Sequence, residues 1–317
     1  MPDAPKISVV VPAFNAEGFI GETIESVLAQ SFEDWELIVV DDGSEDRTAE
    51  IVAAYSAPRI RLIRQDNQGQ SAAQNRGFAE RRGGFVNFLD ADDLLTPVAL
   101  ERLMATLEAH PRACASYGEF VTIDESGQRH GTPLIDRAVN RSRPSGDLLE
   151  TLLKRNLFAN CGLILFRAEC VERAGGFRAD IRLAQAWEMY CRVAAEGEFV
   201  YAGPDPVLEY RIRKGSIARL GGDLAEKQWP AIDAVFSYPK IRSRFGARRL
   251  RQLRRIKEGD AYDFVGTEAM RLRDFARARA YLTRAIMRGI FKPRLFILLV
   301  CAIAGVLPSF VIRQYEL

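Results

Sequence analysis

Histidine is nearly absent from this 317-residue chain, which holds only His110 and His130. That leaves little material for a histidine-based triad or metal site. Cysteine is sparse as well. Cys114, Cys161, Cys170, Cys191 and Cys301 are odd in number and without CxxC spacing, which predicts reduced thiols, a cytosolic setting and no zinc centre. Charge of either sign is not in excess: 44 basic residues face 42 acidic ones, so the net charge of +2 argues for no nucleic-acid partner. A secretory signal is not expected, because a strand pattern begins almost at once. With 48% hydrophobic and 27% charged residues, the composition is that of a folded globular chain, long enough for one large domain with an appendage or for two modest ones.

The first hundred residues alternate two periodicities. Ile7 to Val11 is a β-branched run stopped by Pro12, and Leu37–Val40, Ile60–Ile63 and Phe85–Leu89 repeat that buried-strand signal. Between them lie helix-spaced apolar positions: Ile20, Ile24, Val27 and Leu28; then Ile51, Val52 and Tyr55; then a small-residue stretch from Gly69 to Arg81. A further helix follows Pro97, with Leu100, Leu103, Met104 and Leu107 on one face. Such alternation predicts right-handed βαβ crossovers and a mostly parallel α/β sheet flanked by helices. Beyond Ala113 the pattern loosens. A polar loop is expected over 126–146, a strand over Leu163–Phe166, a helix from Trp187 to Ala195, and extended chain over Val207–Ile212.

Ligands of open parallel sheets bind beyond the carboxyl ends of the strands. Three of these ends are polar: Pro12-Ala13-Phe14-Asn15, Asp41-Asp42-Gly43-Ser44 and Asp90-Ala91-Asp92-Asp93. Two carboxylates one residue apart at such an end suit a hard divalent cation, Mg2+ or Mn2+, with substrate phosphates completing its shell. The same acidic turn would also serve as a solvated lead into the Pro97 helix.

With these residues in view, the chain resembles the family 2 glycosyltransferases, inverting enzymes of the GT-A fold. The resemblance rests on V-V-V-P-A-F-N (9–15), V-V-D-D-G-S (39–44), N-Q-G-Q-S-A-A-Q-N-R-G (67–77) and F-L-D-A-D-D (88–93), in family order and spacing. It covers roughly residues 5 to 215. It implies a Rossmann-like GT-A domain over 1–220; the remaining pattern, outside the resemblance, reads as a helical extension over 221–290 and a hydrophobic segment over 291–317. It implies transfer of a sugar from a nucleoside diphosphate sugar, UDP-linked by family preference, to a glycan or lipid-linked acceptor in polysaccharide biosynthesis. Pro12, Ala13, Phe14, Asn15 and Glu17 would line the base and ribose, and Asp41, with Asp42 close by, would hold a uracil-type ring. Asn67, Gly69 and Ala73 would lie near the nucleotide. Asp90 and Ala91 would face the ribose, Asp90 would share the metal shell, and Asp92 would bind the metal directly.

Two departures from the family stand out. The family places an aspartate base in an acidic pair ahead of a tryptophan-led helix, downstream of a G-G-F turn. Here Gly175-Gly176-Phe177 and Trp187 are present, but the pair reads Gln185-Ala186, and alanine cannot accept a proton. Three explanations stand open: an engineered replacement of the base, another carboxylate such as Glu188 in its place, or a chain that binds nucleotide and regulates another transferase without turnover. Glu188 is expected to face solvent or Arg192. The second departure is Arg213, where the family often has a histidine; with Ser216 it would sit on the diphosphate side.

Past Gly221 the chain is Arg-rich and helical. Ala278, Tyr281, Leu282, Ala285 and Ile286 form a helix-pair face like a single tetratricopeptide hairpin. Leu295 to Ile312 holds no charged residue and follows Arg288, Lys292 and Arg294. It is borderline in length for a spanning helix and is broken by Gly305 and Pro308. The expectation is a segment embedded at the cytoplasmic face of a membrane, with a helix pair packed on protein as the alternative.

Overall fold

The computed structural model describes residues 4–55, 57–130, 144–158, 160–213 and 226–308. Two units divide the chain: Met1–Leu148 with Phe158–Ile212, and Leu149–Leu157 with Arg213–Leu317. The division falls near residue 212, ahead of the expected boundary at 220, and the segment 149–157 joins the second unit.

The first unit holds one eight-stranded sheet. In chain order its strands are β1 (Ile7–Ala13), β2 (Trp35–Asp41), β3 (Ile60–Arg64), β4 (Phe85–Phe88), β5 (Leu94–Leu95), β6 (Ala113–Ile123), β7 (Ile164–Arg167) and β8 (Glu198–Arg211), arranged β3-β2-β1-β4-β7-β6-β8-β5. The first four strands in that order are parallel; β7 runs antiparallel to β4 and β6, β6 pairs parallel with β8, and β5 runs antiparallel to β8. The sheet is therefore the expected GT-A type, mostly parallel in its N-terminal half. Every residue of β1 and β2 is buried, the condition that makes strands covered on both faces read as continuous apolar runs.

The helices of this unit are α1 (Ile20–Leu28), α2 (Thr48–Ala53), α3 (Gln70–Ala79) and α4 (Ala99–Ala109). After α5 (Leu149–Lys154), which belongs to the second unit, come α6 (Ala168–Ala174) and α7 (Gln185–Ala194). Ile20, Ile24 and Val27 of α1 and Leu100, Leu103, Met104 and Leu107 of α4 are buried, as their spacing predicts. In α3 small residues permit close approach: a Cβ on Gly77 would stand 2.4 Å from Val10 Cγ1. That brings the N-terminus of α3 against the carboxyl ends of β1 and β2.

At the opposite sheet end, a buried polar knot replaces apolar packing. Glu36 at the start of β2 accepts from Ser8 Oγ at 2.7 Å, Arg82 N at 2.6 Å and Arg82 Nε at 2.8 Å. Ser8 Oγ in turn accepts from Gly83 N at 2.9 Å. The knot joins β1, β2 and the turn leading into β4.

The second unit is helical, as expected, with α5 joined by α8 (Trp229–Ser237), α9 (Pro239–Arg244), α10 (Ala247–Arg271), α11 (Phe275–Met287) and α12 (Pro293–Ala304). The α10–α11 hairpin closes tightly because Gly266 leaves room for Leu282, and Asp274 caps α11 by accepting from Arg277 N at 3.0 Å. Leu295, Leu298 and Ala302 of α12 enter the same core as Met270, Ala278, Leu282 and Ala285. The segment expected to stand apart from 291 onward thus belongs, up to Ala304, to this bundle. Among the described residues no helix is long and apolar enough to cross a membrane.

Candidate active site

The polar strand ends meet on one rim because β2, β1 and β4 are parallel neighbours. Their following loops are cross-tied. Asn15 takes a left-handed conformation, φ 48°, its N–H donates to Ser44 Oγ at 3.0 Å, and its Oδ1 accepts from Glu45 N at 2.9 Å. Ala16 N donates to Thr48 Oγ1 at 2.8 Å, and Glu17 Oε2 accepts from Arg47 N at 3.1 Å. Asn15 and Glu17 therefore brace the second loop, while Phe14 stands half exposed at the rim. Pro12 and Ala13 are buried in β1, where Ala13 O accepts from Asp42 N at 2.8 Å.

The two aspartates of the second loop have different duties. Asp41 is buried, accepts from Ser44 N at 3.0 Å and pairs with the largely exposed Arg64 at 3.1 Å. Asp42 is nearly as buried and grips the loop ahead of α3: Gln65 Nε2 at 2.7 Å and Gln68 N at 2.9 Å on one oxygen, Gly69 N at 2.8 Å on the other. Gly43, at φ +79°, lets this turn close: a Cβ there would meet Asn67 N at 2.9 Å. Asn67 itself is exposed. Gly69 stands at the N-terminus of α3 with φ 90° and open space where a Cβ would be. Ala73, expected near the nucleotide, is instead fully buried against Ile38 and Val40, because its helical phase faces the sheet.

The acidic loop follows β4. Asp90 and Asp92 are half buried. Asp90 accepts from Gln70 Nε2 at 2.9 Å, and Ala91 O accepts from Thr23 Oγ1 at 2.9 Å. Asp93, the fourth residue of the motif, is buried and accepts from Asn160 Nδ2 and, at 2.8 Å, from Arg211 N. Burial pushes the Asp93 carboxyl well above the usual carboxylate range, and the charges of Asp92 and Asp90 push the same way. Arg211, fully buried, bonds Asp92 O at 2.8 Å and Glu22 Oε2 at 2.6 Å, which clamps the loop from the end of β8.

Among the described residues no three His, Cys, Asp or Glu side chains form a complete metal cage. The donor set fits the other mode, in which one or two carboxylates hold a hard cation whose remaining ligands are phosphate and water. Asp90 and Asp92 are the carboxylates that would serve as that pair.

Gly175-Gly176-Phe177 is held to α3 by Asn75, which donates to Phe177 O at 2.7 Å and accepts from Phe177 N at 2.8 Å. Ala184, at φ 61°, precedes α7. Gln185 donates to Gln70 Oε1 at 3.1 Å, so an amide chain runs from the first residue of α7 to Asp90. Ala186 is half buried in the first turn. Glu188 points elsewhere: it is fully buried and both of its oxygens are taken by Arg192, at 2.6 and 2.5 Å. Arg213 opens the second unit, and Ser216 lies outside the described residues. Sequence reasoning assigned no role to Gln70, Asn160 or Arg211. Gln70 lies within the 67–77 motif and Arg211 follows Tyr210 two residues before Arg213, while Asn160 stands in no motif.

A family model described as glycosyl transferase family 2 matches residues 8–173. The chain is similar to the uncharacterized glycosyltransferase EpsJ of Bacillus subtilis, 31% identical over 74% of this chain and 70% of EpsJ. S. aureus TarS 1–349 in complex with UDP-GlcNAc aligns with 98% of this chain and 90% of its own at TM-score 0.65 and 17% identity. The mannosyltransferase PcManGT of Pyrobaculum calidifontis, in complex with GDP-Man and Mn2+, covers 97% and 88% at TM-score 0.57 and 19% identity. The two structures share the fold; the family model, which ends short of α7, spans the strand ends and loops that build the acidic rim. On that match the chain belongs to glycosyl transferase family 2.

Proposed function

We propose that this chain binds a nucleoside diphosphate sugar, UDP-linked by preference, and transfers the sugar with inversion to a glycan or lipid-linked acceptor. The observation that carries the reading is the rim on which the Asp42-braced loop, the N-terminus of α3 and the Asp90–Asp92 pair adjoin. Amides at a helix N-terminus favour phosphate, and the open space beside Gly69, where a Cβ would stand, lets such a group approach that end of α3. Asp41 and the loop of Phe14 and Asn15 would receive the base and ribose. Asp90 and Asp92 would hold Mg2+ or Mn2+, which when bound supplies Lewis-acid stabilisation of the leaving diphosphate. Gln70 keeps Asp90 oriented toward that position. Arg213 and Ser216 are assigned to the diphosphate side by resemblance alone. The donor complexes of TarS and PcManGT support a sugar nucleotide as the ligand class.

A second reading is favoured by one observation: Ala186 offers a methyl group where a base is needed, and Glu188 is committed to Arg192. A chain so built would bind donor and turn it over slowly or act as a silent partner of another transferase. Calorimetric titration with UDP, GDP and dTDP, each with and without Mn2+, tests the shared premise. UDP binding strengthened by Mn2+ is expected. Binding of none of the three would refute both readings.

A further inference from the structure

We infer that the second unit carries a peripheral docking face for an anionic lipid surface, built by α12 and the turn before it. Burial supplies the first ground. Of eleven large hydrophobic residues exposed on the described chain, seven lie between Met287 and Val306. Four of these, Phe296, Ile297, Val300 and Ile303, follow the spacing of one helix face; Val300 and Ile303 are 65% and 66% exposed. Phe291, 69% exposed, extends the patch at the start of the helix.

The outward facing of this stripe is imposed by the opposite side of the helix. Leu295, Leu298 and Ala302 are fully buried in the bundle core. Asp263 of α10 accepts from Lys292 Nζ at 3.0 Å and from Arg294 at 2.9 Å. The helix cannot roll its apolar stripe inward without breaking both attachments. A large exposed apolar patch of this kind marks an interaction surface.

Charge selects the partner. From Gly246 to Pro308 the chain has fourteen basic residues and five acidic ones, and from Phe275 to Pro308 six basic residues and no acidic one. The whole chain is only +2, so its positive charge is concentrated where the apolar face lies. Arg288, Lys292 and Arg294 are 42–51% exposed even while paired with Glu258 or Asp263. Apolar side chains rimmed by half-exposed cations suit the interface of a bilayer with anionic headgroups. The twelve residues of α12 span about 18 Å at 1.5 Å per residue, short of the roughly 30 Å hydrocarbon core. The helix therefore lies in the headgroup region rather than across the bilayer. This inference stands apart from the donor chemistry of the first unit.

Vesicle flotation of the full chain tests it, with phosphatidylcholine alone and with phosphatidylcholine mixed with phosphatidylglycerol. Binding to the mixed vesicles is expected, with little to the neutral ones and release at high salt. The triple variant Phe291→Ser, Ile297→Ser, Val300→Ser, altered only at exposed positions, should bind about tenfold or more weakly while titrating UDP like the parent. A parent chain that ignores anionic vesicles overturns the inference, as does a triple variant that binds them equally. A parent dimer that the triple variant dissolves also overturns it, by assigning the face to a second copy.

Discussion

Replacing Glu36 separates what holds the sheet from what serves the ligand. In Glu36→Ala, Ser8 Oγ loses its 2.7 Å acceptor and Arg82 N its 2.6 Å one. Hydrogen bonds to a charged group contribute about 1.5–3 kcal/mol each. The guanidinium contacts add little, since the Arg82 and Arg61 side chains are 51% and 33% exposed and water screens such pairs to about 1 kcal/mol or less. A net loss of about 3 kcal/mol follows, at the low end for breaking a buried charged pair. In a unit of this size that lowers the melting temperature by roughly 6–12 °C, read by calorimetry or circular dichroism.

The loss is pH-dependent in a defined direction. Burial acts to raise the Glu36 carboxyl, but the bonds from Ser8 and Arg82 outweigh it and hold the group below its usual 4.5. A folded value below the unfolded one stabilises the fold above about pH 4.5, and this contribution is lost as pH falls through the lowered value. The gap between parent and variant should thus be full at pH 7 and narrow below about pH 4.5. UDP binding should be unchanged, because Ser8 and Ala13 are five β1 residues apart, about 17 Å, beyond the usual range of coupling. A variant melting within about 2 °C of the parent at pH 7, or a gap that ignores acid, refutes the reasoning.

Two further substitutions probe the rim. Ala186→Asp should raise sugar transfer by about 10²- to 10⁴-fold with UDP affinity unchanged, and a carboxylate in the first turn of α7 suits the helix dipole. Glu188→Gln should cost about 3 kcal/mol of stability by leaving Arg192 buried without its counter-charge, yet leave turnover per folded molecule intact; abolished turnover in folded protein would make Glu188 the base after all. Asp42→Asn presents one acceptor oxygen where donors arrive on two, so UDP binding measured by calorimetry should weaken about tenfold, the equivalent of one lost charge-assisted bond.

The N-terminal half of the sheet was legible because β1, β2 and β4 are buried on both faces and announce themselves as apolar runs. Their polar ends fell on one rim because parallel strands all point the same way. In the other half β7 and the end of β8 were legible, but β6 and the start of β8 were not. β6 reads Ala-Cys-Ala-Ser-Tyr-Gly-Glu-Phe-Val-Thr-Ile, yet most of it is buried; Ser116 is accommodated by donating to Leu103 O at 2.7 Å and Gly118 by the side chain of Val207. Only tertiary partners make those residues strand-like. β8 contains Gly203-Pro204-Asp205-Pro206, a turn signal by local chemistry, and the ladder absorbs it through register shifts beside Glu119. Within the site, motif residues were visible. The orienting contacts of Gln70, itself a motif residue, and of Asn160 were not, since no local pattern distinguishes a glutamine that reaches Asp90 from one that reaches water.

The cross-ties between the loops after β1 and β2, and the grip of Asp42 on the loop before α3, also bear on the thermodynamics of capture. The order of those loops is established when the chain folds, so the entropic cost of immobilising them is not left for the arriving donor to meet. Association then draws on a surface already shaped. Its heat-capacity change should then carry no contribution from coupled folding of these loops.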